Sequence, residues 1–206
     1  QLLRTPALWV LVLASGTTNA AFNWAVTVGD VVRVVLLFYL MPLWAVLLAR
    51  LLLAEPLTRL AFGRMLLALA GAAVVLWPAG RSGWDALPLP RSLPDWLGLL
   101  GGFSFALNNV MLRREAHRPE ESRALAMFAG GMTVAGVLAL ALSGSGLVSA
   151  LPAPAPGWLG IVAALALLFL VGNLALQYGA ARLPANVTSV VMLTEILFAS
   201  VSAGIN

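Results

Sequence analysis

The chain has 206 residues, of which 61% are hydrophobic and only 10% charged, with a mean hydropathy of +0.97. A water-soluble domain of this size needs more polar surface than that, so the composition places the chain in a lipid bilayer. The net charge of +4 and the pI near 11 come from arginines at the ends of apolar stretches, and they imply membrane flanks, with no nucleic-acid partner.

Seven apolar stretches occur, at 7–28, 31–53, 60–77, 96–112, 124–142, 158–180 and 185–206. Each is near the ~20 residues that a helix needs to cross the hydrocarbon core. They are too long, and too poor in strict alternation, for barrel strands, and a helix satisfies its own backbone hydrogen bonds in lipid. Breaks fall at Gly29-Asp30, Glu55-Pro56, Pro78 to Pro94, the charged run 113–123, the Pro/Gly/Ser stretch 143–157 and Arg182 to Pro184. The expectation is an all-α polytopic membrane helix bundle with seven helices present.

In the first stretch Asn19 and Asn23 are four residues apart and share a helix face, with Trp24 one position further round. Asp30 and Arg33, opening the second, solvate the helix end and can pair with each other. Pro42 frees a backbone carbonyl midway along that stretch and predicts a kink, while Trp44 near mid-membrane reads as core packing. In the fourth stretch Asn108 can reach a cavity, and Asn109 reads as the helix end meeting the surface. Gly101, Gly102, Gly130, Gly131 and Gly136 read as close-packing positions. The sixth stretch repeats the first pattern with Asn173, Gln177 and Tyr178. For these amides two readings stand open, a polar cavity lining or hydrogen-bonded glue between helices, and the aromatics Trp24 and Tyr178 would wall or gate the cavity. Glu195 lies halfway along the last stretch, where an ionisable group costs at least ~2.5 kcal/mol to insert. It is either a coupling or substrate-binding carboxylate or a neutral acid that ties helices together.

The chain order also contains a repeat. A shift of 154 places Asn173 on Asn19, Gln177 on Asn23, Tyr178 on Trp24, Phe198 on Trp44 and Ala199 on Ala45, so that 7–53 and 161–206 read as two copies of one unit. Extending the offset predicts two helices before residue 1 and one after 206, giving ten helices in two halves of five. Five is odd, so the halves enter the membrane in opposite directions, as in many secondary transporters. With the amino end inside, Arg4, Arg50, Arg59, Arg64, Arg113, Arg114, Arg118, Arg123 and Arg182 are cytoplasmic, against Arg33, Arg81 and Arg91 outside, which is the positive-inside pattern. Trp77, Trp84, Trp96 and Trp158 then fall near the outer interface.

The segments GDVVRVVLLFYLMPLWAVLLARLLLAEPLT at 29–58, GRMLLALAGAAVVL at 63–76 and YGAARLPANVTSVVMLTEILFASVSA at 178–203 resemble the drug/metabolite transporter superfamily in its ten-helix EamA type. In that pattern Pro42, Ala45 and Glu55 stand for a mid-helix proline, a small residue and an acid past the inner end. Glu195 is followed by Ile196, where the family's second half carries a proline. The resemblance implies that 1–77 holds the last three helices of a first repeat, 78–95 an outward-facing linker, and 96–206 the first four helices of a second. It also implies a carrier of small metabolites such as amino acids or related amphipathic compounds, often an exporter. A facilitator or uptake carrier without ion coupling is the alternative within the class, and a membrane receptor or scaffold the alternative outside it.

Catalysis is disfavoured by what the chain lacks. It has no lysine for a retinal Schiff base, one histidine, His117, where a zinc protease needs two, and no cysteine. Neither a metal nor a cofactor is expected. Partners are a small-molecule substrate and the bilayer, with the oligomeric state open, and arginine without lysine points to a bacterial inner membrane.

Overall fold

The computed structural model describes residues 5–56, 58–76, 90–146, 153–184 and 187–188. Among them the chain is helical and without strands: α1 is Pro6–Val28, α2 Val31–Phe38, α3 Met41–Leu53, α4 Arg59–Leu76, α5 Leu93–Arg114, α6 Glu120–Gly144 and α7 Pro156–Arg182. Within the described residues the first six apolar stretches are helical, the second as the pair α2 and α3. The seventh, 185–206, lies outside the described residues apart from 187–188. By length and composition 33–53, 120–144 and 156–182 are each able to cross a membrane, and the protein is an all-α membrane helix bundle.

Local chemistry sets the ends. Pro stands in the first two positions of α1, α3, α5 and α7, where its missing N–H has no intrahelical partner to lose. Asp30 caps α2 by accepting the Arg33 backbone N–H at 2.9 Å. Ser92 and Asp95 form a reciprocal capping box on α5. The second stretch is interrupted at Tyr39–Leu40, one turn ahead of Pro42. A continuous helix would ask Pro42 to donate to the Phe38 carbonyl, which it cannot do.

Packing is closest where α1 and α5 lie against their neighbours. α1 runs between α5 and α6, and α2 and α3 lie on α5. Leu8, Leu11 and Val12 of α1 meet Met111 and Leu112 of α5, Ala126 and Met127 of α6, and Ala180 of α7. Glycine permits the approach: a Cβ on Gly130 would collide with the Val12 carbonyl, and one on Gly102 with the Phe38 carbonyl. Gly16, not singled out by the sequence, faces Gly130 and Val134 in the same seam. Gly131 and Gly136 differ from expectation, since a Cβ there would meet nothing within 4 Å; both face away from the α1 seam. Along α7 the run 161–170 is exposed among the described residues, an apolar surface suited to lipid or to apolar packing.

Candidate functional site: a cavity between α1, α5 and α7

A cavity of about 1000 Å³ opens between α1, the α2–α3 break, α5 and α7. Its walls are largely apolar: Val35 and Met41 on one side, Val162, Leu165, Leu168 and Phe169 of α7 on the other. The interruption at Tyr39–Leu40 places Phe38 among Phe22, 4.8 Å away, and Phe105, 5.6 Å away, centroid to centroid. All three rings and Tyr39 line the cavity. Four aromatics thus form one wall, with tilted ring pairs of the kind that adds to simple burial.

The polar groups come from three helices. Ser15, Thr18 and Asn19 are contributed by α1, Asn108 by α5 and Asn173 by α7. Much of their donor capacity is spent on their own helices. Asn19 Nδ2 donates to the Ser15 carbonyl at 3.0 Å, Asn173 Nδ2 to the Phe169 carbonyl at 2.9 Å and Thr18 Oγ1 to the Ala14 carbonyl at 2.8 Å. Ser15 instead crosses to α6, donating to the Met127 carbonyl at 3.0 Å. Asn108 is buried and its Oδ1 has no hydrogen-bond partner, an acceptor that an incoming N–H or O–H can satisfy.

The other sequence candidates sit elsewhere. Asn23 is exposed one turn beyond Asn19, its Nδ2 held by the Asn19 carbonyl at 2.7 Å. Trp24 packs on the cluster of Ala21, Ala25, Val34 and Leu97. Gln177 is buried near the end of α7, off the cavity lining, with its Oε1 unpartnered. Tyr178 is exposed, and the Arg182 guanidinium lies 3.5 Å over its ring centroid. Pro42 is buried at the start of α3, and Trp44 meets Phe103 edge to face at 5.5 Å. Asn109, expected at the surface, is fully buried with both amide atoms unpartnered. Glu195 lies outside the described residues, as do Phe198 and Ala199.

Where the start of α2 meets the start of α5 the Arg33 guanidinium turns to Asp95, with Nε 2.7 Å from Oδ1, and not to Asp30. Asp95 stands just ahead of the apolar stretch 96–112. Its Oδ2 also accepts the backbone N–H groups of Arg91 at 3.0 Å and Ser92 at 3.3 Å. Burial pushes the Asp95 pKa up, but Arg33 and these two N–H groups outweigh it and hold the carboxyl below the usual aspartate value. The sequence signal for this residue is the S-x-x-D pattern of Ser92 to Asp95 ahead of an apolar run.

An apolar helix bundle around a cavity with a few amides on its wall is the architecture of a polytopic membrane protein with an internal cavity. The sequence model of the EamA-like transporter family matches residues 2–77, the segment through α4. That match ends before the second copy of the resemblance, at 178–203. No curated protein and no solved structure matches the chain.

Proposed function

We propose that the protein is a secondary transporter that exports small polar or amphipathic metabolites, amino acids among the candidates, by alternating access across a bacterial inner membrane. The observation that carries this reading is the cavity of about 1000 Å³, in which Asn19, Asn108 and Asn173 from three helices stand on an otherwise apolar and aromatic wall. Apolar walls suit the carbon skeleton of such a solute, and the amides fix its polar end. Asn19 and Asn173 are the pair related by the 154-residue offset, and their shared position on the cavity supports an inverted repeat. The EamA-like match at 2–77 supports transport as the class of activity.

Counterflow of a panel of labelled amino acids into proteoliposomes of the full-length protein tests the proposal. Asn19→Ala and Asn173→Ala should each lower flux roughly tenfold, the order expected for one lost substrate hydrogen bond, with little change in melting temperature. Absence of flux for the whole panel from folded, oriented protein would favour a receptor or scaffold. Glu195→Gln divides a coupled carrier from a facilitator, because glutamine keeps the size of glutamate and cannot exchange a proton. Loss of the pH dependence of flux is expected, and a pH profile unchanged from wild type removes Glu195 from coupling.

A further inference from the structure

A second cleft, of about 540 Å³, lies where the α5–α6 turn meets the end of α7, and it is lined by His117, Arg118, Glu120, Arg123 and Arg182 with Ala116, Pro119 and Ala181. Arg123 is the unusual member. It is only 1% exposed, and neither its Nε nor its NH1 has a hydrogen-bond partner. Among the described residues its one near anionic neighbour is Glu120, with NH2 3.9 Å from Oε1, which is an attraction and not a hydrogen bond. That same Oε1 already accepts Arg182 NH2 at 3.1 Å. Arg118 is paired to the buried Glu115 through Nε. With Arg118 paired to Glu115, Arg123 and Arg182 are left to share the one carboxylate on the cleft's wall, Glu120. Keeping a buried guanidinium with idle donors is costly, and an oxyanion that accepts from it relieves the cost.

We propose that this cleft binds a phosphate group, with Arg123 as its buried anchor and Arg118 and Arg182 at its rim. A phosphate has enough acceptor oxygens for several guanidinium donors at once, more than a carboxylate's two. The cleft is at a helix end on the arginine-rich side of the chain, the depth at which phospholipid head groups stand, so the phosphate belongs to an anionic lipid or is free in solution. The cleft is separate from the substrate cavity, with no lining residue in common.

The test is the melting temperature of the full-length protein in neutral detergent, titrated with inorganic phosphate and, separately, with mixed micelles carrying phosphatidylglycerol or phosphatidylcholine. Saturable stabilisation is expected, because a ligand that prefers the folded state raises the melting point. A rise with phosphatidylglycerol alone assigns the group to lipid, and a rise with inorganic phosphate as well assigns it to the free anion. Arg123→Gln and Arg182→Gln should each raise the half-saturating concentration roughly tenfold or more, whereas Arg50→Gln, an exposed arginine on the same side, should leave it unchanged. If Arg123→Gln does not fold, exposed Arg182 decides alone. No stabilisation by phosphate or phosphatidylglycerol, or equal stabilisation in wild type and Arg182→Gln, overturns the proposal.

Discussion

Asp95 gathers a guanidinium and two backbone N–H groups onto one carboxylate, and its depressed pKa gives a sign to the pH dependence of stability. A group whose folded pKa is lowered adds stability above its unfolded value, about 3.9 for aspartate, and loses it as pH falls through the folded value. Wild-type protein should therefore lose melting temperature below about pH 4, and Asp95→Asn should flatten that acid limb. At neutral pH the substitution should cost about 1–2 kcal/mol, a modest loss because Arg33 is still 35% exposed and solvated. An acid limb of equal steepness in wild type and variant would show that Asp95 is not the titrating group. At this scale the sequence was partly legible. Polar types at helical spacing located Asn19 and Asn173, because a side-chain amide in lipid must face something polar. Asn23 and Trp24 were not separable from them: one residue turns the side chain through 100° on a helix, and only the packing partners of α1 decide which angles meet the cavity.

At the scale of elements, length and hydropathy made the helices readable, since a bilayer leaves the backbone few alternatives. The glycine contacts were less readable. Gly130 and Gly131 are adjacent and chemically identical, and only the position of α1 distinguishes them. Gly130→Ala should destabilise the α1–α6 seam by about 1–3 kcal/mol, the usual cost of overpacking. Gly131→Ala should be neutral or stabilising by up to ~1 kcal/mol, the helix propensity gained with nothing displaced. Thermal unfolding of the two variants in one detergent compares them directly, and equal losses would contradict the seam. The break between α2 and α3 was legible as a proline effect. That it swings Phe38 toward Phe22 and Phe105 was not, because those rings come from helices distant in sequence.

For the whole molecule, the arginine distribution gives an orientation that can be measured. The chain has no cysteine, so single replacements report cleanly. Ser145→Cys, at the exposed carboxyl end of α6, should react with an impermeant thiol reagent on intact cells, and Ala116→Cys, exposed in the α5–α6 turn, should react only after the membrane is opened. The reverse labelling would invert the orientation and place the phosphate cleft on the outer face.

Among the described residues of α7, burial is confined to Gln177, Ala180 and Ala181 at one end. Backbone hydrogen bonds satisfied within the segment thus favour a helix in lipid, and the described part of the bundle pins the rod at that one end. A rod pinned at one end is a lever. From Pro156 to Gln177 is about 32 Å at 1.5 Å per residue, so a tilt of about 10° about the pin displaces the free end by about 5 Å. Among the described residues such a swing disturbs no buried packing along 161–170, and it changes the width of the cavity that Leu165, Leu168 and Phe169 line from the same rod.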